Sequence, residues 1–145
     1  MTASFLFVHS PLVGPSTLRR LADLVATTGR AVALPNLSPM ATSAHPHEVY
    51  TNWAIEAAGD LAPPVVVIGH SGAGPFLPTI AAGVGPGTAL VFVDAVVPPE
   101  SGEHRATESM KVMLDQQTVN GMLRLVARLV APRRCSRDPA GPGRS

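Results

Sequence analysis

The sequence has 145 residues, a length that fits one compact domain and leaves no room for a second folded unit. Hydrophobic residues make up 46% and charged residues 14%, which excludes the highly charged disordered class. Eleven Lys and Arg against ten Asp and Glu give a formal charge of +1, so we expect no binding to nucleic acid or to an anionic membrane.

The compartment is predicted from the cysteine content and the amino terminus. The single cysteine, Cys135, excludes an internal disulfide and suits a reducing environment. The chain passes from Met1 almost directly into the apolar run 5–8, without the basic leader and long apolar core of a secretion signal. No strand-like run is long enough to cross a bilayer. We therefore expect a cytoplasmic protein.

Four short apolar runs, rich in branched or aromatic residues, are typical of buried β-strands, and they alternate with segments of helical spacing. The predicted strands are 5–8, 31–34, 65–68 and 89–93, and the predicted helices lie around 18–25, 49–57 and 76–84. Nearly continuous apolar strands joined by helices favour the α/β class. We predict a mostly parallel sheet of about four strands with helices on both faces.

Beyond Pro98-Pro99 the pattern changes, and no further strand is predicted. Six apolar residues follow helical spacing there: Val119, Met122, Leu123, Val126, Leu129 and Val130. From Pro132 the sequence is rich in Arg, Pro, Gly and Ser without periodicity. We therefore predict one domain over 1–130, with a core over 4–99 and a helical segment over 103–130, followed by a disordered tail over 131–145.

The stretch Gly-His-Ser-Gly-Ala at 69–73 lies between the third predicted strand and the helix that follows it. It matches the pattern G-x-S-x-G with the small residue Ala73 in the last position. Such a turn exposes the serine hydroxyl at the carboxyl edge of a sheet, and the next helix directs N–H groups to the site of an oxyanion. A plain turn and a weak phosphate-binding loop are the alternatives. The context favours Ser71 as a nucleophile.

From Phe5 to Pro99 the sequence resembles the core of the α/β-hydrolase superfamily, in particular small bacterial serine hydrolases. Three segments carry the resemblance: 5–11 as the oxyanion strand, 69–74 as the nucleophile turn and 91–95 as the next strand. The resemblance implies hydrolysis of an ester, thioester or amide of a small molecule through an acyl-Ser71 intermediate. We expect no cofactor and no metal.

The resemblance also implies an oxyanion hole with one N–H from Gly72 and another from the loop after the first strand. In the family a glycine usually follows the histidine that corresponds to His9, and the next residue donates. Ser10 and Pro11 occupy those positions here, and proline has no N–H. Leu12 is the nearest replacement donor, with a purely connecting loop as the alternative. His9 itself usually organises this loop in the family.

A serine hydroxyl needs a base to take its proton, and in the superfamily the chain order is serine, acid, histidine. Asp94, at the carboxyl end of the fourth predicted strand, is the candidate acid, with a turn cap as the alternative. His104 is the candidate base, and a solvated histidine near a helix start is its alternative. His45 and His47 have a weak metal-ligand spacing, which we interpret as two solvent-facing residues.

Full-length members of the superfamily usually continue through a lid and two more strands, whereas this composition changes after about Met122. We hypothesise that the chain is truncated or frame-shifted at its carboxyl end. The second functional hypothesis is therefore a catalytically inactive hydrolase-like domain that binds a small ligand or a partner chain. A sheet that ends at its fourth strand would leave an open edge, through which copies of the chain would associate.

Overall fold

The computed structural model describes residues 2–99, 107–119 and 122–123. Strands and helices alternate up to residue 93, and a helix with two short strands follows. The strands are β1 Ser4–Val8, β2 Val32–Ala33, β3 Val65–His70, β4 Ala89–Val93, β5 Thr118–Val119 and β6 Met122–Leu123. The α-helices are α1 Ser16–Ala26, α2 Pro46–Ala57, α3 Leu77–Val84 and α4 Glu108–Gln117, and short 3-10 helices span Ser38–Thr42 and Ser71–Phe76.

The first four strands form one parallel sheet in the order β2-β1-β3-β4. The two central strands pair over five positions, from Ser4 opposite Val65 to Val8 opposite Gly69. This register brings the carboxyl ends of β1, β3 and β4 to one edge of the sheet, where ligands bind in open α/β folds. The predicted α/β class with about four parallel strands is confirmed.

Two apolar clusters cover the two faces of the sheet, because alternate side chains of a strand point to opposite faces. Leu6 of β1 and Val67 of β3 pack with α2 and α3 residues, including Tyr50 and Ile80. The neighbouring strand residues Phe7 and Ile68 pack instead with the α1 residues Leu18 and Ala22. Helices therefore flank both faces, as the apolar strands predict.

The segment after Pro99 differs from the prediction. Helix α4 ends at Gln117, and β5 and β6 form a two-stranded antiparallel pair. The predictions of no further strand and of helix at Val119, Met122 and Leu123 are therefore wrong. The β-branched side chains of Thr118 and Val119 favour a strand over a helix. Within the predicted helical segment the helix is confirmed over α4, whereas positions 103–106, 120–121 and 124–130 and the tail over 131–145 lie outside the described residues.

The element boundaries differ from the prediction by a few residues. β3 continues through Gly69 to His70 because both residues pair with β4. α2 begins at Pro46, a residue type suited to the first helical turn because it has no N–H to leave unpaired there. Within the described parts of the chain, no helix has the length and apolar character needed to cross a membrane.

Candidate active site

Ser71 lies at the junction where β3 ends and the 3-10 helix begins. Its φ is 54°, a left-handed conformation that residues other than glycine rarely adopt. Such a conformation costs on the order of 1–3 kcal/mol and persists only where the surrounding structure holds it. The residue is half-buried. The serine therefore lies on a sharp, strained strand-to-helix turn at the carboxyl edge of the sheet.

The small residues of the turn are required by close packing. A Cβ atom at Gly74 would lie 1.8 Å from the carbonyl oxygen of Val96, in the loop after β4. The same loop is joined to the turn by a hydrogen bond of 3.4 Å from the Val96 N–H to the Ser71 carbonyl. A Cβ atom at Gly69 would meet the Leu77 side chain at 2.6 Å, so α3 also packs directly against β3.

Replacement of Gly74 with alanine is expected to lower the free energy of unfolding by about 1–3 kcal/mol, the usual effect of overpacking. The clash is with backbone, so the loop after β4 has to move. Gly14→Ala is the matched control, because the new methyl group would make ordinary contact with Ser38 at 3.7 Å. Urea unfolding of both variants measures the difference, and equal midpoints would contradict the prediction.

His9 is fully buried, and both of its ring nitrogens are engaged. Nε2 accepts the Leu37 N–H at 2.9 Å, so the ring proton belongs on Nδ1, which donates to the Ser10 carbonyl at 2.8 Å. The Tyr50 hydroxyl donates to the His9 carbonyl at 2.5 Å. These contacts make His9 a support of the loop after β1, and they leave it no free nitrogen to act as a base for Ser71.

Burial lowers the pKa of His9 below its usual value of 6.5, and hydrogen bonds to the Ser10 and Val13 backbone offset this in part. The unfolded chain then binds a proton more readily than the folded chain. The contribution of His9 to stability is therefore fully present above about pH 6.5 and declines as the pH falls below that value. Urea unfolding between pH 8 and pH 5 tests this, and a stability that rises towards low pH would contradict it.

The predicted oxyanion loop contains a contact that the sequence did not predict. The N–H of Leu12 donates to the Ser10 hydroxyl oxygen at 3.3 Å, and the Val13 N–H donates to the Ser10 carbonyl at 3.1 Å. A Cβ atom at Gly72 would lie 2.9 Å from the same hydroxyl oxygen. The loop after β1 and the serine turn therefore pack directly on each other, with Ser10 at the contact.

Asp94 follows the last residue of β4, as Ser71 follows the last residue of β3. The paired residues before them are His70 and Val93, so the two candidates are neighbours at the carboxyl edge of the sheet. Asp94 has a φ of 45° and is exposed. Within the described residues its carboxylate makes no hydrogen bond or ion pair, so nothing there supports the turn-cap alternative. It is free to orient another group.

The candidate base His104 lies outside the described residues. Among those that are described, no imidazole forms a hydrogen bond with the Ser71 hydroxyl. The buried Nδ1 atom of His70 has no hydrogen-bond partner in the same part of the chain. His45 and His47 are exposed, as predicted, and the His47 ring stacks on Phe76. In residues 2–99, 107–119 and 122–123 no three His, Cys, Asp or Glu side chains are grouped to hold a metal ion.

No family model matches the chain, and no curated protein matches it. Solved structures do match, among them a mutant of polyneuridine aldehyde esterase, an α/β-hydrolase. Its TM-score is 0.56 and its sequence identity 22%, over 80% of this chain and 48% of the esterase chain. The present chain thus spans about half the length of that protein. At this identity the likeness shows the fold alone, and the fold of the chain is that of part of an α/β-hydrolase.

Proposed function

We propose that the chain acts as a serine hydrolase of the α/β type on an ester, thioester or amide of a small molecule, through an acyl-Ser71 intermediate. The observation that carries the proposal is the φ of 54° at Ser71, in a turn between a parallel strand and a helix. A serine in this position presents its hydroxyl to a substrate at the sheet edge. A plain turn does not need a strained residue other than glycine at its tip.

In the proposed reaction the Ser71 oxygen attacks the carbonyl carbon, and a base takes the hydroxyl proton. The carbonyl oxygen becomes an oxyanion, which the Gly72 N–H stabilises. When the tetrahedral intermediate collapses, the bond to the leaving group breaks and the leaving group takes the proton. Water then releases the acid and restores the serine. We assign the base to His104 and its orienting carboxylate to Asp94, and we place Leu12 in the oxyanion loop.

The proposal is tested by assaying the folded chain with p-nitrophenyl esters of increasing acyl length, an acyl thioester and an anilide. We expect hydrolysis of at least one class above the rate given by an equal concentration of free imidazole. The acyl-length profile would then define the substrate class. If a folded chain hydrolyses none of the compounds above that reference, the enzymatic proposal is wrong.

A second candidate function is an inactive hydrolase-like domain that binds a small ligand or associates through its sheet edge. Two observations favour it. No described histidine forms a hydrogen bond with the Ser71 hydroxyl. Among the described strands, none pairs with the outer side of β4. β4 contains only apolar residues, and Val91 is 40% exposed, so the edge has no charge or proline to oppose pairing. Sedimentation equilibrium tests association, and a monomer at high concentration would contradict it.

A further inference from the structure

The hydroxyl group of Ser10 lies against the serine turn, although 61 positions separate Ser10 from Ser71 in the sequence. Ser10 is 1% exposed and follows β1, the strand that pairs with β3. Its hydroxyl oxygen is 2.9 Å from the position that a Cβ atom of Gly72 would occupy. Because Gly72 has no side chain, the Ser10 hydroxyl has room to lie beside its backbone, which carries the proposed N–H donor.

The Ser10 hydroxyl has a hydrogen-bonding capacity that the described contacts do not use. A serine hydroxyl offers one donor and two acceptor positions. The oxygen accepts the Leu12 N–H at 3.3 Å, but no acceptor for the hydroxyl proton is found among the described residues. When the hydroxyl oxygen accepts a hydrogen bond from an N–H group, the O–H group is polarised and becomes a stronger donor. The loop therefore holds a polarised donor beside Gly72.

The backbone of the same loop lacks the donor that an oxyanion hole needs. Pro11, the residue after Ser10, has no N–H, and the N–H of Leu12 is already directed at the Ser10 oxygen. A side-chain hydroxyl is one of the groups that stabilise an oxyanion in acyl-transfer enzymes. Ser10 is the residue of this loop whose side chain contacts the serine turn and has a proton to give.

We propose that the Ser10 hydroxyl is the second donor of the oxyanion hole, in place of a backbone N–H. This inference rests on the proposed function of Ser71. When Ser71 attacks, the oxyanion accepts hydrogen bonds from the Gly72 N–H and the Ser10 O–H. When the leaving group departs, the charge returns to the carbonyl and the Ser10 proton stays on its oxygen. Leu12 is then a positioning residue that acts through Ser10.

The contacts of His9 fit the same assignment. Its Nδ1–H donates to the Ser10 carbonyl, and its Nε2 accepts the N–H of Leu37 from the segment after β2. The ring therefore fixes the backbone of Ser10 from a buried position, and the Leu12 N–H fixes its side chain. A donor fixed in this way needs no reorganisation when the oxyanion forms, which is the condition for strong transition-state stabilisation.

The test is the rate at which a fluorophosphonate labels Ser71, because phosphonylation also places negative charge on an oxygen in its transition state. Ser10→Ala is expected to slow labelling about a hundredfold, the usual effect of losing one oxyanion donor. The matched control is Ser4→Ala, at the opposite end of β1. Ser4 is also a buried serine, and its hydroxyl donates to the Ala62 carbonyl at 2.6 Å.

The outcomes separate this inference from the function on which it rests. Slow labelling of Ser10→Ala, with Ser4→Ala labelled as fast as the unmodified chain, supports the inference. Equal rates for the two variants overturn it while the nucleophile assignment stands. The inference is also overturned if Ser10→Ala loses only the share of the labelling rate that matches the share of its molecules that circular dichroism shows to be unfolded. Failure of the folded, unmodified chain to react overturns both proposals.

Discussion

Replacing Ser71 with alanine is expected to remove nearly all ester hydrolysis by the chain. Without the hydroxyl no acyl-enzyme forms, and removal of the nucleophile from a serine hydrolase lowers the turnover rate by about 10⁴-fold or more. The methyl group of alanine fits in the space of the serine side chain. The strain of a φ of 54° is the same for both residues, so the fold should change little. Initial rates with the best p-nitrophenyl ester measure the effect.

The control for this prediction is Ser16→Ala. Ser16 is an exposed serine at the start of α1, and its replacement removes a hydroxyl without touching the turn. It should retain the full rate. If Ser71→Ala keeps more than a small fraction of the activity of Ser16→Ala, the hydrolysis arises elsewhere and the nucleophile assignment is wrong.

Replacing His9 with leucine is expected to lower the free energy of unfolding by about 1–3 kcal/mol. The buried Leu37 N–H would lose its acceptor, and a buried polar group without a partner costs about 1–3 kcal/mol, whereas the Ser10 carbonyl would keep its hydrogen bond from the Val13 N–H. The hydrophobic gain from leucine offsets part of this loss. Urea unfolding at pH 8, where the native imidazole is neutral, measures the difference.

His45→Leu is the control for the His9 variant, because His45 is exposed and its side chain holds no buried group. We expect it to change stability by less than about 0.5 kcal/mol. The His9 variant should also lose the decline of stability below about pH 6.5 that a buried imidazole causes. A variant as stable as the control, with the decline intact, would show that the ring does not hold the loop.

The main elements of the fold could be predicted from the sequence because short apolar strand segments alternate with segments of helical spacing. Val65 to Ile68 and Ala89 to Val93 are continuous apolar runs, and the structure places both in the parallel sheet. The order of the strands, with β1 between β2 and β3, is not encoded in any one segment. The helical spacing of apolar residues gave the wrong prediction at Val119, because spacing takes no account of the β-branched side chains of Thr118 and Val119, which favour a strand.

The serine turn could be predicted because its residue types are fixed by local geometry. Small residues at Gly69 and Gly74 are needed where the helix and the loop after β4 approach the turn. The surroundings of the turn could not be predicted, because they depend on contacts between segments that are distant in the chain. The Ser10 hydroxyl reaches Gly72 only because β1 and β3 are neighbours, and Leu37 reaches His9 through the segment after β2.

The role of Tyr50 shows the same limit. It is the single tyrosine of the sequence and lies on the apolar face of α2, so the sequence indicates a buried aromatic residue. A buried tyrosine hydroxyl usually forms a hydrogen bond, so the sequence indicates a polar contact at Tyr50 but not its partner. That the partner is the His9 carbonyl follows only from the packing of α2 on the sheet.

The most direct test of Ser71 as the nucleophile is the mass of the folded chain after reaction with a fluorophosphonate, followed by peptide mapping. We predict a single label, located on Ser71 in the turn between β3 and the following helix. We also predict no label once the chain is unfolded in urea, because the reactivity depends on the folded turn. A folded chain that takes up no label, or one labelled at another residue, would contradict the assignment of Ser71 as a nucleophile.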